Sequence, residues 1–168
     1  MNICVLSGSP PGENSKTMQT VLYMQKQFPD HEWNILQVGK RIRAYEKDMS
    51  EAFASLEAAD MILFCYPVYT FLAPGQLHLF LEKVKEAAAA GELDLSGQYA
   101  VQVTTSKHFY DVTAMDFIRG NCRDLGMHDL GAFSADMDDL LKEKGRNEAK
   151  QFFAYVLWRV KYQVYEGT

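Results

Sequence analysis

Cysteine is scarce in this sequence. Only three residues, Cys4, Cys65 and Cys122, are present, and none belongs to a C-x-x-C pair. The common zinc and iron–sulfur spacings are thereby excluded. An odd count at wide separation excludes a disulfide scaffold and fits a reducing compartment, so the protein is expected in the cytoplasm. Positive charge is also short. The formal net charge is −5, which argues against a nucleic-acid partner, because such surfaces are normally basic. A local phosphate site stays open, since backbone N–H groups bind anions without net positive charge. Long apolar runs are missing as well. The most apolar stretch, residues 61–72, contains Pro67 and falls short of the ~20 residues that a membrane span needs. The opening Met-Asn-Ile-Cys-Val-Leu lacks a basic n-region, so no signal peptide and no membrane partner are expected. His31, His78 and His128 show no ligand-like spacing, and no metal is assigned. Internal repeats, low-complexity linkers and a composition break are all lacking, and 168 residues suit one domain over 1–168.

What is present is a regular alternation. Residues 3–7 form a short apolar run ending in Ser-Gly-Ser-Pro, the pattern of a buried strand entering a turn. Val21, Met24 and Phe28 recur at helical spacing and predict a helix over 16–28, ended by Pro29 and Asp30. Residues 32–38 read as a second strand, and Lys40–Arg43 as a basic cluster in a solvated loop. Met49, Phe53 and Leu56 mark a helix with Ser50 near its start. Residues 61–66 are continuously apolar, as a central parallel strand covered on both faces would be. Leu77, Phe80, Leu81 and Val84 give the i, i+3, i+4, i+7 pattern of another helix. Residues 99–104 read as the fourth strand. Ala114, Ile118, Cys122 and Leu125 mark the next helix. Residues 127–135 form a fifth strand that Gly131 weakens. Phe153, Val156, Leu157, Val160 and Val164 mark a long final helix.

This β-α alternation predicts an α/β protein with a doubly wound, five-stranded parallel sheet and helices on both faces. Ligands of such sheets bind outside the carboxyl ends of the strands, at the topological switch point. Three loops therefore carry the expectation of a site. The first is Ser7-Gly8-Ser9-Pro10-Pro11-Gly12-Glu13-Asn14-Ser15-Lys16-Thr17. It follows a strand and opens a helix, where unsatisfied N–H donors and a partial positive charge collect. Ser9, Asn14, Ser15 and Thr17 add short hydroxyl and amide donors. The loop has neither the G-x-x-x-x-G-K-[ST] nor the G-x-G-x-x-G spacing, which excludes a P-loop and a Rossmann dinucleotide site.

The loop resembles the phosphate loop of NAD(P)H-dependent FMN reductases and quinone reductases, a branch of the flavodoxin-like flavoproteins. Gly8-Ser9-Pro10, Ser15 and Thr17 carry the likeness. Pro11 stands where that family often has Arg, and Lys16 replaces part of that charge. The second loop, Pro67-Val68-Tyr69-Thr70-Phe71, and the following Pro74-Gly75-Gln76-Leu77 and Phe80-Leu81 resemble the same family's strand, Pro-Val-Tyr loop and Gly-Gln-Leu helix. The third, Thr104-Thr105-Ser106-Lys107-His108-Phe109-Tyr110-Asp111, lies where the family meets the isoalloxazine ring. The resemblance covers residues 1–135 and implies a flavodoxin-like fold binding FMN. By that likeness Ser7, Ser9, Pro10, Asn14, Ser15, Lys16 and Thr17 hold the phosphate. Pro67, Val68, Tyr69, Thr70 and Phe71 line the ring, with Tyr69 and Phe71 as its apolar wall. Thr105, Ser106, Lys107, His108 and Tyr110 meet its polar edge, where a cation stabilises the charge of reduced flavin. Related iron–sulfur flavoproteins carry clustered cysteines within the region matching 38–51. None is present here, and that cluster is not carried over.

The resemblance implies hydride transfer from NADH or NADPH to FMN, and onward transfer to a quinone, a flavin or another small acceptor. No side chain has to act as acid or base in that step, and no catalytic residue is assigned. A flavodoxin-type one-electron carrier and a non-catalytic flavodoxin-like module are the alternatives. Asp136, Asp138 and Asp139 are read as an exposed acidic helix start. Phe152, Tyr155, Trp158, Arg159 and Tyr162 form a second band on the last helix. Aromatics and Arg are enriched at interfaces, and a homodimer is expected.

Overall fold

A computed structural model describes residues 1–9, 15–68, 72–106, 111–136 and 141–165. The described elements run β1 (Asn2–Ser7), α1 (Lys16–Gln27), β2 (Glu32–Leu36), α2 (Val38–Lys47), α3 (Ser50–Ala58) and β3 (Met61–Pro67). They continue with α4 (Gly75–Ala89), β4 (Tyr99–Ser106), α5 (Val112–Asp124), β5 (His128–Asp136) and α6 (Glu143–Tyr162). The five strands are all parallel, in the order β2-β1-β3-β4-β5. The order turns back between β1 and β3, the switch point at which ligands of doubly wound sheets bind.

Side-chain alternation along each strand builds two cores. Cys4, Leu6, Ile62, Phe64 and Tyr66 face α2, α3, α4 and α5. Ile3, Val5, Met61, Leu63 and Cys65 face α1 and α6. All seven residues of β3 are buried, as its unbroken apolar run requires for a strand covered on both sides. Of the helical stripes read from the sequence, Val21 and Met24 are buried on α1 with Phe28 half-buried at its end, and Leu77, Phe80, Leu81 and Val84 are buried on α4. Ala114, Ile118 and Cys122 do so on α5.

Two expectations are corrected. Lys40–Arg43 lies in a helix, α2, and β2 ends at Leu36. The apolar stripe of α2 has only three members, Val38, Ile42 and Tyr45, at i, i+4 and i+7. Gly39, a poor helix former, and the basic residues between them hide that period. Arg41 also leaves helical φ/ψ and kinks the element. The second correction concerns Arg159, which is 5% exposed. Its guanidinium donates to the Leu130 carbonyl at 2.7 Å and to the Val164 carbonyl at 2.9 Å, so it belongs to the interior. Phe152 is half-buried against Phe133, while Tyr155, Trp158 and Tyr162 are exposed, Tyr155 stacking on Trp158 and Trp158 meeting Tyr162 at a tilt. Asp136 is the last residue of β5, and Asp138 and Asp139 lie outside the described residues.

Gly131 does not break β5. The register steps from Ala100↔Asp129 to Gln102↔Ala132, one extra residue on β5, and Gly131 sits there with φ +106°. A bulge that needs positive φ favours glycine, which has no Cβ to clash. Among the described residues, no helix is long and apolar enough to cross a membrane.

Candidate functional site

The first loop is held tightly at its base. Ser7 ends β1, and the Gly8 N–H donates to the Cys65 carbonyl at 2.8 Å. On its other side the loop meets α2. A Cβ at Gly39 would lie 2.5–2.6 Å from the Ser9 carbonyl carbon and the Gly8 and Ser9 carbonyl oxygens. Ser7 and Ser9 are buried, and neither hydroxyl has a hydrogen-bond partner among the described residues. Past the loop, Ser15 caps α1: its hydroxyl accepts from the Met18 N–H at 3.0 Å. The first turn of a helix leaves N–H groups with no acceptor inside the helix and a partial positive charge. Lys16 is exposed at this turn. Thr17 is buried, with its hydroxyl 2.6 Å from that of Thr105 on β4. Pro10 and Asn14 lie outside the described residues.

The second and third loops start beside the first. Pro67 ends β3, buried and in register with Thr105. The next residue, Val68, donates its N–H to the Thr105 carbonyl at 2.9 Å. Tyr69, Thr70 and Phe71 lie outside the described residues, as do Lys107, His108 and Tyr110. Thr104, Thr105 and Ser106 close β4, all buried, and the hydroxyls of Thr104 and Ser106 have no partner among the described residues. Beyond this loop, the buried Asp111 accepts a short hydrogen bond from the Ser134 hydroxyl on β5. Beneath it, the Tyr66 hydroxyl donates to Gln102 Oε1 at 2.5 Å, and Gln102 Nε2 donates to the Met115 carbonyl at 3.1 Å. Burial, and then the Asp111 charge, push the Tyr66 phenol up. It stays a neutral donor.

Four buried hydroxyls near the carboxyl end of the sheet, those of Ser7, Ser9, Thr104 and Ser106, thus lack partners among the described residues. An unsatisfied buried hydroxyl costs about 1–3 kcal/mol, a cost that a polar ligand at the strand ends would offset. The donor set suits a phosphate and the polar edge of a heterocycle. Among the described residues no group of three or more His, Cys, Asp or Glu side chains could hold a metal ion. The thiols are packed rather than reactive. Burial pushes Cys4 up to about 12 and raises Cys65 and Cys122 as well.

Ser7, Ser9, Ser15, Thr17, Thr105 and Ser106, the described hydroxyl-bearing residues expected from the sequence, lie at the carboxyl ends of β1 and β4 and the start of α1, and Gly39, which the sequence does not mark, packs against the first loop. A glycine within a short apolar period gives no local sign that another backbone touches it. Nor does the sequence mark the Asp111–Ser134 bond, whose partners are 23 residues apart.

Hollows also lie among described residues away from these loops. One, of about 430 Å³, is lined by Asn2, Cys4, Glu32, Asn34 and residues of α3. Another, a groove of about 600 Å³ between α4 and α5, contains His78 and Phe117. These two rings stack at 4.4 Å, and burial lowers the His78 pKa.

The parallel strand order is that of a doubly wound α/β protein. Residues 1–155 match the model of a family described as flavodoxin-like fold, and the chain belongs to that family. No curated protein matches it in sequence. Among solved structures, the apo form of an NADH:FMN oxidoreductase is 20% identical with a TM-score of 0.72, covering 93% of this chain and 88% of that one. RosB with a bound 8-demethyl-8-formylriboflavin-5′-phosphate intermediate is 12% identical, with a TM-score of 0.76 over 96% of this chain and 81% of that one. An FMN-dependent NADH-azoreductase from Bacillus anthracis in complex with FMN is 8% identical, with a TM-score of 0.63 over 96% and 99%. At these identities the likeness establishes the fold.

Proposed function

We propose that the chain is an FMN-dependent oxidoreductase that takes electrons from NADH or NADPH and passes them to a small acceptor such as a quinone or a flavin. The observation that carries this reading is the set of four buried hydroxyls at the carboxyl ends of β1 and β4 that have no partner among the described residues. The names of the similar structures support the same chemistry. Ser7, Ser9, Pro10, Asn14, Ser15, Lys16 and Thr17 would hold the phosphate at the start of α1, where helix geometry favours an anion. Pro67, Val68, Tyr69, Thr70 and Phe71 would flank the ring. Ser106, Lys107, His108 and Tyr110 would meet its polar edge, and Thr105, whose hydroxyl is turned to Thr17, would hold the strand end that carries them.

FMN, when bound, supplies hydride acceptance and onward electron transfer. The chain's own residues bind and orient. Ser9 donates to a phosphate oxygen, and the first turn of α1 offers backbone N–H groups beside it. Ser106 hydrogen-bonds the polar edge, and Lys107 or His108 holds positive charge where negative charge develops. No nucleophile or general base is needed.

Mixing FMN-loaded protein with NADH or NADPH without oxygen tests the reading. Bleaching of the flavin absorbance, and its return on adding a quinone, is the expected result. Flavin that bleaches only with dithionite would instead fit a one-electron carrier and overturn the reductase. The exposed ladder Tyr155–Trp158–Tyr162 supports self-association into a homodimer through α6. Three buried, free cysteines support a reducing, cytoplasmic setting.

A further inference from the structure

Thr105 is bonded to the elements that carry both other loops. Its side chain meets Thr17 on α1, with the two hydroxyl oxygens 2.6 Å apart. Its carbonyl accepts from Val68, the residue that opens the second loop. It also precedes Ser106 and the third loop directly. Both threonines are buried, at 1% and 2% exposure, so water does not compete for their bond.

We propose that Thr105 is a positioning residue that ties the phosphate half of the site to the ring half and makes the site select for the phosphate. The inference rests on the FMN reading above. Its basis is hydroxyl arithmetic. Each threonine hydroxyl has one proton and two lone pairs, and in the pair only one of them donates to the other. A phosphate at the start of α1 presents acceptors only. When Thr17 gives its proton to a phosphate oxygen, Thr105 must donate to Thr17. The result is a directed chain from the Thr105 hydroxyl through Thr17 to the phosphate, each bond polarising the next. A ligand without phosphate gains nothing from that chain. The carbonyl of Thr105 still holds Val68 in either case, so the ring half does not depend on the hydroxyl.

The test is a fluorescence titration of FMN and of riboflavin against the natural protein and against Thr105→Val, which keeps the shape and removes the hydroxyl. FMN affinity should fall about five- to tenfold, as the loss of a buried hydrogen bond implies, while riboflavin affinity changes less than about twofold. Thr105→Ser should restore the ratio. Thr17→Val combined with Thr105→Val should weaken FMN no further than Thr17→Val alone, because the two act as one chain. If Thr105→Val does not melt cooperatively, Thr105→Ala is read in its place against the Ser control. Equal losses for FMN and riboflavin, or no loss for either, overturn the inference and leave the FMN reading intact. Failure of the natural protein to bind FMN at all overturns both.

Discussion

At Gly39 a hydrogen atom stands where any side chain would collide with the backbone of residues 8 and 9. The obstacle is carbonyl backbone on the loop side and helix on the other, so neither can yield cheaply. Gly39→Ala should destabilise the fold by about 1–3 kcal/mol, the range for forced overpacking. It should also weaken FMN binding by displacing Ser9; urea melts and a flavin titration on the same variant measure both. His78 supplies a pH dependence. Burial lowers its folded-state pKa, whereas in the unfolded chain the ring titrates near its ordinary value of about 6.5. Between those two values the unfolded state binds more protons, so stability falls as pH drops through about 6.5 and levels off below the folded pKa. His31 is lowered too, by burial first and then by the Met1 ammonium, and adds to the same trend. Thermal melts from pH 8 to pH 5 should show the decline, and His78→Gln should make it shallower. The site hydroxyls themselves were legible because short polar residues at a strand–helix turn declare their chemistry locally. Gly39 was not, because its role exists only across a tertiary contact.

At the scale of elements, legibility followed the size of the apolar stripe. β3 and α4 bury long, regular runs, and the sequence shows them without ambiguity. α2 buries few side chains between basic residues, and its helix is invisible to a periodicity argument. The start of α6 was hidden differently. Its early contacts are made by Gly145 and Ala149, whose small side chains carry little hydrophobic signal. The end of α6 returns to the sheet through Arg159, whose guanidinium joins the Leu130 carbonyl beside the β5 bulge to the Val164 carbonyl. Arg159→Met keeps most of the apolar stem but strands the Leu130 carbonyl, and should cost about 1–3 kcal/mol. Gly131→Ala, at φ +106°, forces a Cβ into the left-handed region and should cost about 1–2 kcal/mol. Chemical denaturation of the two variants, alone and combined, measures both costs. Because Leu130 and Gly131 are neighbours, the double variant should lose less than the sum.

For the molecule as a whole, parallel strands in the order 2-1-3-4-5 bring three loops, far apart in sequence, to one crevice at β1 and β3. That convergence was legible from the β-α alternation together with the motif likeness in the first two loops. The placement of Arg159 was not, since a charged residue beside exposed aromatics reads as surface until its carbonyl partners are seen. With Arg159 inside, the outer face of α6 is the ladder of Tyr155, Trp158 and Tyr162. Trp158→Glu should shift the protein toward monomer in sedimentation if that face joins two copies; an unchanged mass would assign the ladder no such role. FMN binding at the strand ends is tested by the absorbance spectrum of the protein after FMN is added and the unbound fraction removed. About one retained flavin per chain is expected, with retention reduced in Ser9→Ala by the loss of a hydrogen bond to a charged group. A colourless protein, or flavin retained equally by Ser9→Ala, would rule out FMN binding there.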